Sequence, residues 1–268
     1  SFLLPWQRPL PAANAAAGWI DMTRKFCVLI LFVLPALALS WLQAAAPAAG
    51  LAVAPAYARS NGGLFGQPEQ PAPLSHPLRN LFDPMWQRVV AAEKENPSFT
   101  PRGEHFNRVD ANAWRNLTQQ AKNKPEVEVL HMVNGYFNQW PPKNDDAIWS
   151  TPEYWDTPRE FMQHRGGDCE DYAIAKYYAL RYLGFEARRL RIVVVRTREA
   201  NGRAQVILHA VLAVYQPDGK GDGWFILDNN ARPRDNIFPH TQYKGRFEPI
   251  YSMNEEGAWL HGASIQRN

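Results

Sequence analysis

Cys169 lies in the run Gly166-Gly167-Asp168-Cys169-Glu170-Asp171-Tyr172, and the only other cysteine, Cys27, falls in a stretch laid out like an export signal. Once that stretch is removed, one thiol remains and no disulfide is possible. Oxidising compartments convert spare thiols to disulfides or sulfenic acids, so a retained lone thiol points to a chemical use. Asp168 is suited to cap a helix that places Cys169 at its first position, where backbone N–H groups and the helix dipole favour the thiolate. The carboxylates of Asp168, Glu170 and Asp171 oppose this, raising the thiol pKa unless a cation offsets them. Two cations meet that need: an imidazolium beside the sulfur, or Ca²⁺ held by hard carboxylate oxygens. In the alternative reading, Asp168 only caps the helix, and Glu170 and Asp171 sit favourably against its dipole.

His209 stands in the apolar run Val206-Ile207-Leu208-His209-Ala210-Val211-Leu212, where a polar side chain needs a partner. A strand histidine on its own is often a hydrogen-bonded structural residue. With a lone thiol upstream and Asp228 closing the next strand, it reads instead as a base whose tautomer a carboxylate fixes. Such a set supports thiol-dependent acyl transfer: attack on an amide carbonyl, an oxyanion held by the Cys169 backbone N–H, then hydrolysis of the thioester. The indole N–H of Trp155 is a second candidate oxyanion donor, although most of the ten tryptophans belong to the core. Asn144-Asp145-Asp146 reads as a solvated turn rather than a second metal site. Arg188, Arg189, Arg191, Arg196 and Arg198 read as a solvated face, or as a surface for an acidic partner.

The elements that must position these residues follow from caps and periodicity. Asp83, Asp110 and Pro125 mark the starts of three helices carrying Met85-Trp86-Val89-Val90, Trp114-Leu117 and Val127-Leu130-Val133-Phe137. Thr157-Pro158 repeats the signal before a short helix that ends near Gly166-Gly167. The next helix carries Ala173, Tyr177 and Leu180 along one stripe and stops at Gly184. Three strand-like runs then cover 190–196, 206–215 and 224–228, with turn residues at Asn201-Gly202 and from Asp218-Gly219 to Gly223. Helices followed by consecutive strands predict an α+β domain, a helical N-terminal half packed on an antiparallel sheet.

Met22-Thr23-Arg24-Lys25, the apolar stretch from Phe26 to Leu42 and Ala56-Tyr57-Ala58 form the layout of a secretory signal. Residues 26–46 are alternatively long enough for an inner-membrane anchor. The expected organisation is an N-terminal extension over 1–58, a mobile Pro- and Gly-rich linker over 59–80, and one domain over 81–268. With 29 basic against 26 acidic residues, the charge balance excludes a nucleic-acid role.

Gly-Gly-Asp-Cys-Glu-Asp-Tyr at 166–172, His-Ala-Val-Leu at 209–212 and Leu-Asp-Asn at 227–229, with Tyr154-Trp155-Asp156-Thr157-Pro158 and Tyr251-Ser252-Met253-Asn254, resemble the bacterial transglutaminase-like cysteine peptidases. Among these the chain is most similar to the LapG-type periplasmic proteases, over roughly residues 80 to 260. The resemblance implies a papain-like core with Cys169 as nucleophile, His209 as base, Asp228 as orienting acid, and calcium near Asp168, Glu170 and Asp171. It further implies a periplasmic enzyme of biofilm dispersal. Its substrate would be a large surface adhesin cut near its N-terminus, and its restraint an inner-membrane cyclic di-GMP receptor. The residues alone leave room for a transglutaminase or amidase with the same triad, or for an inactive binding module.

Overall fold

The computed structural model describes residues 63–198, 206–217 and 223–266. The expectations for the extension over 1–58, including the membrane span over 26–46, and for the turns at Asn201-Gly202 and Asp218-Gly219, lie outside the described residues. No helix among the described residues is long and apolar enough to cross a membrane.

The protein is α+β. Among the described residues, six α-helices run α1 (Pro77–Glu95), α2 (Arg108–Ala121), α3 (Glu126–Asn138), α4 (Asp145–Ile148), α5 (Pro158–His164) and α6 (Cys169–Tyr182). Seven strands follow the order β1 (Glu69–Pro71), β7 (Gly257–His261), β6 (Glu248–Asn254), β2 (Leu190–Arg198), β3 (Val206–Tyr215), β4 (Trp224–Leu227), β5 (Phe238–Pro239) across one antiparallel sheet. Strand alternation sorts the side chains into two layers. Ile192, Val194, Leu212 and Val214 face a large core shared with Phe82, Trp86, Trp114, Phe137, Phe161 and Tyr177 from the helices. Val193, Val195, Val211 and Ala213 face the other way, under Leu64, Phe65, Tyr243 and Phe247. Because both faces are covered, the long strands read as unbroken apolar runs rather than alternating ones.

The segment expected as a mobile linker is part of the domain from residue 63 onward. Leu64 and Phe65 are buried in the second layer, and Glu69–Pro71 pairs with Trp259–His261. A salt bridge of 2.9 Å joins Glu69 to Arg191, which is buried with its guanidinium 4.0 Å above the Trp259 ring. Arg191 is therefore no part of a solvated face. The Pro-rich composition misled because proline suits the edge of a sheet and the first turn of a helix as well as a loop.

Helix starts differ from expectation by fractions of a turn to more than a turn. His76 caps α1, so Asp83 and Pro84 lie inside it, and Asp83 instead pairs with Arg79 at 2.6 Å and accepts the Tyr251 hydroxyl at 2.6 Å. Asn107 caps α2, and Asp110 sits buried in its first turn against Arg165. Pro125 is the N-cap of α3 rather than its first residue, and Val127 is 37% exposed while Leu130, Val133 and Phe137 are buried.

Candidate active site

α6 carries the thiol into the interior. Its predicted stripe of Ala173, Tyr177 and Leu180 is buried, but so is every residue from Cys169 to Leu180, so the helix is central rather than amphipathic. Two preceding glycines let the chain enter it. Gly166 adopts φ 138°, and a Cβ there would lie 2.3 Å from the Pro141 carbonyl oxygen. A Cβ on Gly167 would lie 2.2 Å from Asp171 Oδ2. That close approach has a purpose: Asp171 Oδ2 accepts the Asp168 N–H at 3.0 Å and Oδ1 accepts the Asp156 N–H at 2.7 Å. Asp171 thereby ties the loop before α5 to the start of α6. α5 is fixed by a capping box in which Thr157 Oγ1 accepts the Glu160 N–H and Glu160 accepts the Thr157 N–H at 2.7 Å.

The His209–Asp228 pair lies next to the residue whose N–H meets the Cys169 sulfur. The ladder between β3 and β4 stops at Leu212 and Leu227, leaving the Ala210 N–H to donate to Cys169 Sγ at 3.3 Å. Next to Ala210, His209 is buried, with Nε2 2.9 Å from Asp228 Oδ1. With Nε2 committed to Asp228, Nδ1 is the ring nitrogen available for proton exchange. The Asn230 N–H donates to the same Asp228 oxygen at 2.9 Å, and Asn138 Nδ2 binds the Asp228 carbonyl at 2.9 Å and that of Arg234 at 2.8 Å. Burial works against the charge on Asp228, but His209, the Asn230 N–H and Lys176 prevail, holding its pKa below the ordinary carboxylate value. Neither Asn138 nor Lys176 is conspicuous in sequence, because each reads as one polar residue in a helix.

The thiol itself is poorly placed to ionise alone. It is 1% exposed, and burial first, then the charge of Asp168, pushes its pKa well above the ordinary range, outweighing the Ala210 N–H. Around it the acidic residues are more numerous than expected. Asp145, read from sequence as part of a solvated turn, is completely buried, with its carboxylate close to those of Asp168, Glu170 and Asp171 at the start of α6. One carboxylate oxygen from each of Asp145, Asp168 and Asp171 lies within 4.8 Å of the others, as do oxygens of Asp145, Glu153 and Glu170. Asp145 Oδ1, both Asp168 oxygens and Glu170 Oε1 are buried with no hydrogen-bond partner. Burial raises the pKa of Asp145 to about 6 and that of Asp168 to about 7, and pushes Glu170 and Asp171 well above the carboxylate range. Among the described residues, no basic side chain forms an ion pair with these four. Unpaired buried carboxylates of this number are expensive unless protonated or bound to a cation, and an all-oxygen set suits a hard one such as Ca²⁺. Asp171, expected as a ligand, accepts one backbone N–H at each oxygen and also lies in one of these acidic groups, while Asp145 and Glu153 lie near the expected residues from outside the helix-start motif.

Trp155 is buried and stacked on Phe82, and its indole N–H donates to Glu153 Oε1 at 2.7 Å. The expected oxyanion donor is therefore already engaged.

A thiol at the start of a central helix, packed on an antiparallel sheet that supplies a paired histidine and aspartate, defines a transglutaminase-like cysteine peptidase. The chain belongs to the bacterial transglutaminase-like cysteine proteinases, whose family pattern matches residues 105–266. Solved structures of LapG from Legionella pneumophila are 32% identical to it. The calcium-bound form covers 64% of this chain and 87% of its own with a TM-score of 0.48, and the EGTA-treated form 67% and 92% with 0.47. A third LapG structure covers 66% and 89% with a TM-score of 0.47. No curated protein matches the chain.

Proposed function

We propose that this cysteine peptidase is a calcium-dependent endopeptidase in which Cys169, His209 and Asp228 act as one unit. The observation that carries the reading is the 2.9 Å bond from His209 Nε2 to Asp228, next to the backbone N–H that holds the thiol. His209 Nδ1 takes the thiol proton as the sulfur attacks an amide carbonyl, and Asp228 stabilises the imidazolium. The imidazolium then protonates the departing amine. A water, deprotonated by the same ring, releases the acyl group from the thioester. Calcium, when bound, supplies positive charge beside the thiol. Asp145, Asp168 and Glu170 would hold it, with Glu153 and Asp171 at the margin, and their buried unpartnered oxygens support this. By the same family resemblance the enzyme is periplasmic, releases a large surface adhesin by cutting its N-terminal region, and is restrained by an inner-membrane cyclic di-GMP receptor. The test is to incubate a purified N-terminal adhesin fragment with wild-type protein and the Cys169→Ala variant, in calcium and in EGTA. Cleavage by wild type in calcium alone is expected. Cleavage by Cys169→Ala would end the triad reading, and undiminished cleavage in EGTA would end the calcium reading.

A further inference from the structure

Glu153 is a partly buried carboxylate drawn in two directions. On one side its Oε1 accepts the Trp155 indole N–H at 2.7 Å. On the other, one of its oxygens lies within 4.8 Å of oxygens from Asp145 and Glu170. The tryptophan is fixed independently of Glu153: its ring stacks on Phe82 with centroids 6.0 Å apart, and its carbonyl accepts the Arg88 guanidinium. The indole therefore has no means of following the carboxylate if the carboxylate turns. On the cluster side, Asp145 Oδ1 and Glu170 Oε1 are buried without hydrogen-bond partners, so the groups next to Glu153 lack a positive neighbour that a cation would provide.

We propose that Glu153 couples cation occupancy of the acidic cluster to the donor state of Trp155. Turning to share a hard cation with Asp145 and Glu170, Glu153 gives up the indole N–H. A buried donor that loses its acceptor is costly to leave unmade. The cost is relieved when an acceptor such as a substrate carbonyl oxygen arrives, so cation binding and substrate binding favour one another through this residue. Glu153 is thus a positioning residue, acting through Trp155. The inference rests on reading the cluster as a calcium site, and the experiment separates the two.

The measurement uses the full-length Cys169→Ala protein labelled with ¹⁵N at its tryptophan indoles, so that no turnover contributes. Trp155→Phe identifies the resonance by its disappearance. Calcium chloride is titrated while the indole N–H is followed by NMR, with calorimetry on the same sample. The expected result is an upfield move of the Trp155 N–H, as a bond to a charged acceptor is lost, with the same midpoint as the calorimetric binding. Glu153→Gln should weaken calcium binding on the order of tenfold and abolish the movement. Glu153→Asp, which keeps the charge but shortens its reach, should bind calcium with the Trp155 resonance already at its released position. Calcium heat without any movement of Trp155 would overturn the coupling and leave the cation site intact. No heat at all would remove the cation site and the coupling with it.

Discussion

The buried carboxylates fix how stability should respond to pH with and without calcium. Asp145 and Asp168 have folded-state pKa values of about 6 and about 7, against 3.8 for an unperturbed aspartate. The folded protein thus holds their protons more tightly than the unfolded chain. The resulting stability is fully present below about pH 4 and is lost as pH rises through 6 to 7. A tenfold change in proton affinity is worth about 1.4 kcal/mol, so ionising Asp168 costs the fold on the order of 4 kcal/mol by pH 8. The carboxylates repel one another, which makes Asp168 alone a floor. At pH 5 about 2.7 kcal/mol of this remains to be lost, and a domain of this size shifts by roughly 2–4 °C per kcal/mol, so in EGTA the melting temperature should fall by roughly 5–11 °C between pH 5 and pH 8 relative to the calcium-loaded protein. Calcium bound at the proposed site would compete with protons for the same oxygens, and its stabilising effect should grow across that window. Differential scanning calorimetry at several pH values, each in EGTA and in calcium, measures this directly. A calcium effect that is absent, or that shrinks as pH rises, would refute the argument that these carboxylates are uncompensated.

Other outcomes follow from the same geometry. Cys169→Ala should lose all proteolysis while unfolding within about 1 kcal/mol of wild type, since the thiol is small and its neighbours can close over it; peptide turnover and denaturant unfolding check both. Asp228→Asn should keep a residual rate above that of Cys169→Ala, because the ring retains a partner but in the wrong tautomer, as steady-state kinetics will show. Iodoacetamide should label Cys169 slowly in EGTA and faster in calcium, because the metal-free thiol is held protonated by burial and Asp168; equal rates would contradict that account. Gly167→Ala should destabilise by more than about 2 kcal/mol, because its Cβ would meet Asp171 Oδ2 at 2.2 Å and displace the carboxylate that ties Asp156 to Asp168; chemical denaturation reads this.

Local signals carried the chemistry-bearing elements well. The Thr157-Pro158 cap, the helix from Cys169 and the strands at 190, 206 and 224 are short-range patterns, and each appears within a few residues of its expected place. Non-local features were hidden. Nothing in Asn144-Asp145-Asp146 reports that the Asp145 carboxylate is buried beside those of Asp168, Glu170 and Asp171, more than 20 positions away. The pairing of 69–71 with 259–261 is likewise set by a contact spanning most of the domain, and a three-residue strand ending in proline leaves no periodicity to read. His76 took the α1 cap from Asp83 because Pro84 is accommodated within the helix; Asp83 looked like the stronger cap only in isolation.

The rims of the sheet bear on how a polypeptide is met. At one rim β1 is three residues long and contains Pro71; at the other β5 is two residues long and contains Pro239. Proline has no N–H to offer a neighbouring strand, and such short segments give little length to pair along. Among the described residues, β1 and β5 therefore offer an extended chain only two or three residues to pair along. The β3–β4 ladder ends at Leu212 and Leu227, so β3 continues past its neighbour toward Ala210, whose N–H meets the thiol. Short, proline-bearing rims of this kind limit pairing of the sheet's outer strands with a second chain.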